Sequence, residues 1–263
     1  MLHPALSSLL AVALAAAASL PALAAVKTEV VEYKQGDTTC QGYLAWDDSA
    51  AGKRPGIVLV HDWMGVGDYV ERRAREVAAL GYVVLAADIY GKGVRPKDAR
   101  EAGQLAGKYK GDLPLLRARG RAALDTLVKN PRVDAAKLFA MGYCFGGTAA
   151  LELARSGAPL VGVVTFHGGL ATKDPADAKN IKGSVLVLHG FDDPFVPPAE
   201  VAAFQKEMND AHVDWEMVLY SHAVHSFTRP DSGNDNSKGA AYNEKADKRS
   251  WEAMKAFLAE RSR

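Results

Sequence analysis

Gly142-Tyr143-Cys144-Phe145-Gly146 has the form Gly-x-Cys-x-Gly, preceded by the apolar run Leu138-Phe139-Ala140-Met141 and followed by the small residues Gly147-Thr148-Ala149-Ala150. An apolar strand that gives way at once to a small-residue helix is the layout of a nucleophile elbow. There a strained strand-to-helix turn projects the central side chain, and the flanking positions are glycine because a Cβ would strike the neighbouring strand and helix. Cysteine stands where serine is usual. A thiol can be held as a thiolate near neutral pH, so the chemistry implied is attack by sulfur on an acyl carbon, governed by whatever controls the Cys144 pKa. The alternative is a buried cysteine in a glycine-rich turn, and residues elsewhere in the chain must decide between the two.

Those residues follow other apolar runs. His61-Asp62-Trp63-Met64-Gly65 comes after Leu59-Val60, His189-Gly190-Phe191-Asp192-Asp193-Pro194 after Val187-Leu188, and Ser221-His222-Ala223-Val224-His225-Ser226 after Val218-Leu219-Tyr220. A nucleophile, an acid and a histidine thus occur in the chain order Cys, Asp, His. Asp192 competes with Asp193 for the acid, and His222 with His225 for the base. His61 and His189 read as hydrogen-bonded structural residues, whereas His167, followed by Gly168-Gly169, is expected to touch substrate. The histidines are scattered, with no His-Glu-x-x-His and no Cys/His cluster, so neither a metal nor an organic cofactor is expected.

Such residues need a scaffold that gathers strand ends. Residues 26–35 and 38–45 flank Gly36-Asp37 and read as a β-hairpin. Apolar runs at 56–61, 83–87, 138–141, 160–166, 184–189 and 215–220 then alternate with helical stretches over 68–80, 96–130, 144–156, 198–211 and 241–260. Short, continuous apolar strands alternating with helices imply an α/β fold: a mostly parallel sheet with helices on both faces and its active site at the carboxyl ends of the strands. With 48% hydrophobic and 24% charged residues in 263, and no repeat or low-complexity linker, residues 26–263 are expected to form one domain. A net charge of +1 without a basic tract argues against nucleic acid or a membrane surface as partner; a monomer acting on a small molecule is the expectation.

Residues 1–25 contain no Lys, Arg, Asp or Glu and run through an apolar stretch from Leu9 to Leu20 into Pro21-Ala22-Leu23-Ala24-Ala25. This reads as a cleaved signal peptide, too short for a spanning helix, and implies export, in a bacterium to the periplasm, with no membrane span afterwards. Cys40 and Cys144 are the two cysteines, and in an oxidising compartment they could form a disulfide. Cys40 falls in the hairpin, however, and an elbow lies at the carboxyl edge of the sheet, so a free thiol is expected.

The chain resembles the dienelactone hydrolase (carboxymethylenebutenolidase-like) family of the α/β-hydrolase superfamily. The residues that carry the likeness are Asp62-Trp63-Met64-Gly65-Val66, Asp88-Ile89-Tyr90-Gly91, Gly142 to Gly147, Asp192-Asp193-Pro194-Phe195-Val196-Pro197 and His225-Ser226-Phe227-Thr228-Arg229. The resemblance implies a Cys144–Asp193–His225 triad that hydrolyses small, often anionic, esters or lactones through an acyl-enzyme. Its register favours Asp193 over Asp192, and its His-Ser-Phe pattern favours His225 over His222. The oxyanion donors are then the backbone N–H groups of Phe145 and Trp63. In the family a glutamate at the position of Asp62 engages the resting thiol; the shorter aspartate here leaves that contact open. Lys92 and Arg229 match family positions that hold a substrate carboxylate, although Lys92 replaces an arginine and would act as a point charge. Other readings are a broad carboxylesterase or thioesterase of the same fold, or an exported non-catalytic or redox-sensing protein.

Overall fold

A computed structural model describes residues 26–49 and 51–263, so the segment read as a signal peptide lies outside the described residues. Ten-residue strands β1 (Val26–Gln35) and β2 (Thr38–Asp47) form an antiparallel hairpin about Gly36, whose φ of +55° suits glycine. There follow β3 (Arg54–Val60), α1 (Asp68–Ala78), β4 (Val83–Ala87), α2 (Ala99–Gly111), α3 (Leu113–Val128), β5 (Val133–Tyr143) and α4 (Phe145–Arg155). The chain ends with β6 (Gly162–Phe166), β7 (Ser184–Gly190), α5 (Pro198–Asp210), β8 (Trp215–Tyr220) and α6 (Glu244–Arg261). All eight strands join one sheet in the order β1-β2-β4-β3-β5-β6-β7-β8. The hairpin is antiparallel to β4, and from β4 to β8 every pairing is parallel.

Alternation along the strands builds a core on each face. In β3, Val58 and Val60 face α3 and α4 with Leu124 and Leu151, whereas Ile57 and Leu59 face α1 and α6 with Val77 and Leu258. Strands buried on both sides read as unbroken apolar runs, and each such side chain contributes about 1.5–3 kcal/mol on burial. This is the single-domain, mostly parallel α/β architecture expected. Several boundaries shift by one to three residues, and two depart further. The helical stretch over 96–130 is split at Asp112, whose carboxylate accepts the Leu115 N–H and starts α3 with Pro114 in its first turn. Strand β5 begins before the apolar run, because Val133 and Asp134 pair with Arg54 and Pro55 ahead of a register shift at Pro55/Gly56.

Candidate active site

Cys144 sits between β5 and α4 at φ 55° and ψ −118°, a conformation costly for any residue with a Cβ. The turn is possible because its neighbours lack side chains. A Cβ on Gly142 would lie 2.1 Å from the Gly146 carbonyl oxygen, and one on Gly146 would lie 2.2 Å from that of Val60. The Cys144 N–H donates to the Phe166 carbonyl (3.0 Å), which extends the β5–β6 ladder to the thiol itself.

The loops after β7 and β8 bring an acid and a base to this sulfur. His225 Nε2 is 3.0 Å from Cys144 Sγ, and its Nδ1 is 2.8 Å from Asp193 Oδ2. Asp193 is buried, and its other oxygen accepts the Phe195 N–H at 2.9 Å, so the carboxylate is aimed from both ends. The His225 backbone is held by its N–H to Gly239 (3.2 Å) and by the Ala241 N–H to its carbonyl (3.0 Å). The competing pair is found together at the surface: His222, 91% exposed, lies 3.9 Å from Asp192. Burial disfavours an imidazolium at His225. The neighbouring Cys144 sulfur and the Asp193 carboxylate outweigh it and push the pKa up to about 10. A thiol, an imidazole and a carboxylate so joined can deliver a thiolate to an acyl carbon and return a proton to its leaving group.

Cys144 and His225 open into a cavity of about 490 Å³ walled by Trp63, Phe145, Phe195 and Val196, with the α2 residues Gly103, Ala106, Gly107 and Lys110 along one side. Phe195 meets the His225 ring edge-on at 5.3 Å between centroids. Phe145 is the first residue of α4, where amides have no intrahelical acceptor. Trp63 offers its N–H free of any acceptor among the described residues, while its carbonyl accepts the Tyr90 hydroxyl at 3.0 Å. Both expected oxyanion donors thus border the sulfur's cavity.

The remaining expected residues are placed differently. Asp62 does not meet the thiol. One oxygen accepts the Met64 N–H (2.8 Å) and the other is paired with Arg229 Nη1. Arg229 lines a separate groove of about 570 Å³ that does not include Cys144, and the rest of its fork grips Asp231 at 3.0 and 2.5 Å. Lys92 is away from the cavity, on the hairpin side, with its ammonium 2.5 Å from Glu32 Oε1. His167 is not a substrate contact: it is buried behind His225 at 5.2 Å between ring centroids, bonded to Thr228 Oγ1 at 2.8 Å. Burial, then the His225 charge, hold its pKa well below the usual imidazole value. The cations that do line the cavity are Lys110 and Lys238. Only the positions 103, 106, 107 and 110, spaced along one helical face, hinted at Lys110 in the sequence. Both cysteines are free, Cys40 lying buried on β2 with Arg119 Nη1 at 3.6 Å, so the disulfide alternative is not what the structure holds. Among the described residues no group of three or more His, Cys, Asp or Glu could hold a metal ion, and no helix is long and apolar enough to cross a membrane.

The model of the dienelactone hydrolase family matches residues 40–262. The chain belongs to the dienelactone hydrolase family. It is accordingly an ester or lactone hydrolase. A solved structure named m3DLH is 44% identical, covers 91% of this chain and 100% of its own, and superposes with a TM-score of 0.88. A dienelactone hydrolase-like promiscuous phosphotriesterase from metagenomic libraries is 42% identical over 89% of this chain and 98% of its own, with a TM-score of 0.85. An uncharacterized protein of Caenorhabditis elegans is 37% identical over 147 residues, 55% of this chain and 93% of its own length.

Proposed function

We propose that this dienelactone hydrolase family member cleaves small carboxylic esters and lactones by covalent catalysis, with Cys144 as nucleophile, His225 as general acid and base, and Asp193 orienting the imidazole. The observation that carries this reading is the continuous relay from Asp193 through His225 to Cys144, with contacts of 2.8 and 3.0 Å. The Cys144 thiolate attacks the acyl carbon, and the oxyanion gathers the Phe145 and Trp63 N–H groups. As the tetrahedral adduct collapses, the C–O bond breaks and His225 gives its proton to the departing alkoxide. Water, deprotonated by His225, then hydrolyses the thioester and frees Cys144.

Apolar walls suit small, largely neutral esters, and Lys110 and Lys238 offer charge to a substrate carboxylate at the mouth. The 42% identity to a promiscuous phosphotriesterase supports a second reading in which the same thiolate attacks a neutral phosphotriester. The test is a panel of neutral and carboxylate-bearing esters and lactones with one aryl dialkyl phosphate, assayed on wild type and Cys144→Ala. The variant should lose at least roughly 10³-fold in kcat/KM on every substrate turned over while keeping the circular dichroism spectrum of folded wild type. Most of the activity remaining would end this reading.

A further inference from the structure

His61 is fully buried at the end of β3, one residue before the turn that carries Trp63, and it lies outside the relay of Asp193, His225 and Cys144. Its ring is fixed on every side. It stacks on Phe145 at 5.8 Å and 25°, and meets Tyr90 edge-on at 4.7 Å. Its Nε2 accepts the Ile89 N–H at 3.2 Å, so the proton must sit on Nδ1, and Nδ1 lies 2.5 Å from the Asp62 carbonyl oxygen. Burial lowers the imidazole pKa, in keeping with a neutral ring of one tautomer.

That carbonyl belongs to the peptide unit whose other end is the Trp63 N–H. A trans peptide is planar and its C=O and N–H point oppositely, so whatever fixes the carbonyl fixes the direction of the amide hydrogen. The rest of the turn is tied down as well. The Gly65 N–H reaches the Asp62 carbonyl (3.3 Å), the Met64 N–H its carboxylate (2.8 Å), and the Tyr90 hydroxyl the Trp63 carbonyl (3.0 Å). The Trp63 N–H alone among these groups is left for a ligand.

We infer that His61 is a positioning residue of the oxyanion hole: its Nδ1–H holds the Asp62 carbonyl, and through that peptide plane aims the Trp63 N–H at the oxygen of the tetrahedral adduct. This rests on the reading of Cys144 as nucleophile and Trp63 as donor. Preorganised donors act because they need no rearrangement as charge develops, so a peptide free to rock loses much of the benefit.

The experiment compares two reactions of the same sulfur. Alkylation by iodoacetamide needs the thiolate but no oxyanion donor, whereas ester hydrolysis needs both. In His61→Leu, ester kcat should fall by tenfold or more, towards the roughly 10²–10³-fold that loss of a whole donor costs, with KM little changed and the Cys144 alkylation rate within about threefold of wild type. In His61→Asn the side-chain amide can stand where Nδ1 stood, and activity should return to within about fivefold of wild type. In His61→Gln the amide reaches the Nε2 position instead, and activity should stay low. That pair decides the matter if His61→Leu does not fold. Equal activities of the Asn and Gln variants, hydrolysis unaffected in His61→Leu, or alkylation falling in step with hydrolysis would each overturn the inference. Wild type that still hydrolyses esters after complete alkylation of Cys144 would instead fail the nucleophile reading, and this inference with it.

Discussion

A free thiol in water holds its proton about two pH units more tightly than a free imidazole, so a Cys/His pair brought together with ordinary values would rest uncharged. At this site His225 departs from its ordinary value. Burial opposes charge on His225, yet the sulfur at 3.0 Å and the Asp193 carboxylate at 2.8 Å raise its pKa to about 10, so the imidazole rests charged at neutral pH. Because the folded value lies above the unfolded one, the charge on His225 stabilises the fold fully below about pH 6.5 and loses that contribution as pH climbs towards 10. Nitrogen-15 NMR of the histidine rings should therefore show His225 titrating near pH 10 in wild type and well below it in Cys144→Ala, where the sulfur's charge is gone. Titration near 6.5 in both proteins would contradict the ion pair. Asp193 and Asp192 show how much local sequence could decide. Adjacent and identical in type, they differ in that one is buried against His225 and the other pairs with His222 in solvent.

The elements carry the site through their carboxyl ends, and these were legible because each buried strand is a continuous apolar run whose next few residues must lie at the sheet edge. The elbow was legible for the same reason: Gly142 and Gly146 are required by backbone contacts that any Cβ would violate. Contacts between loops were not. Arg229, expected at a substrate carboxylate, ties the loop after β8 to the turn after β3 by gripping Asp231 and Asp62, and nothing in the spacing of 62, 229 and 231 announces that pairing. Arg229→Ala would leave Asp62, 4% exposed, without its counter-charge. The expected cost is about 3 kcal/mol, the low end for breaking a buried pair, or a melting temperature lower by roughly 6–12 °C. Since the guanidinium is engaged with protein carboxylates, kcat/KM should fall by the same factor on a neutral ester and on its carboxylate-bearing analogue. A loss confined to the anionic ester would restore Arg229 as a substrate anchor.

For the molecule as a whole, alternation of strands and helices predicted the parallel sheet, and the hairpin about Gly36 supplied its antiparallel edge. What remained hidden was depth. His167 and Lys92 stand near strand ends as expected, but one is sealed behind His225 and the other faces Glu32 on the hairpin. Sequence order says which edge of a sheet a residue reaches, not which layer behind that edge it occupies. Lys110 and Lys238 reach the cavity from α2 and from the turn before α6, elements with no chemical motif of their own. Covalent catalysis by Cys144 is the claim on which this account of the molecule turns, and the acyl-enzyme is its most direct witness. Intact mass measured on acid-quenched enzyme during turnover of an activated acetate ester should show one added acetyl group, mapped by peptide analysis to Cys144 and absent from Cys144→Ala. Undiminished turnover by Cys144→Ala, or an acetyl group mapped to another residue during turnover, would contradict it.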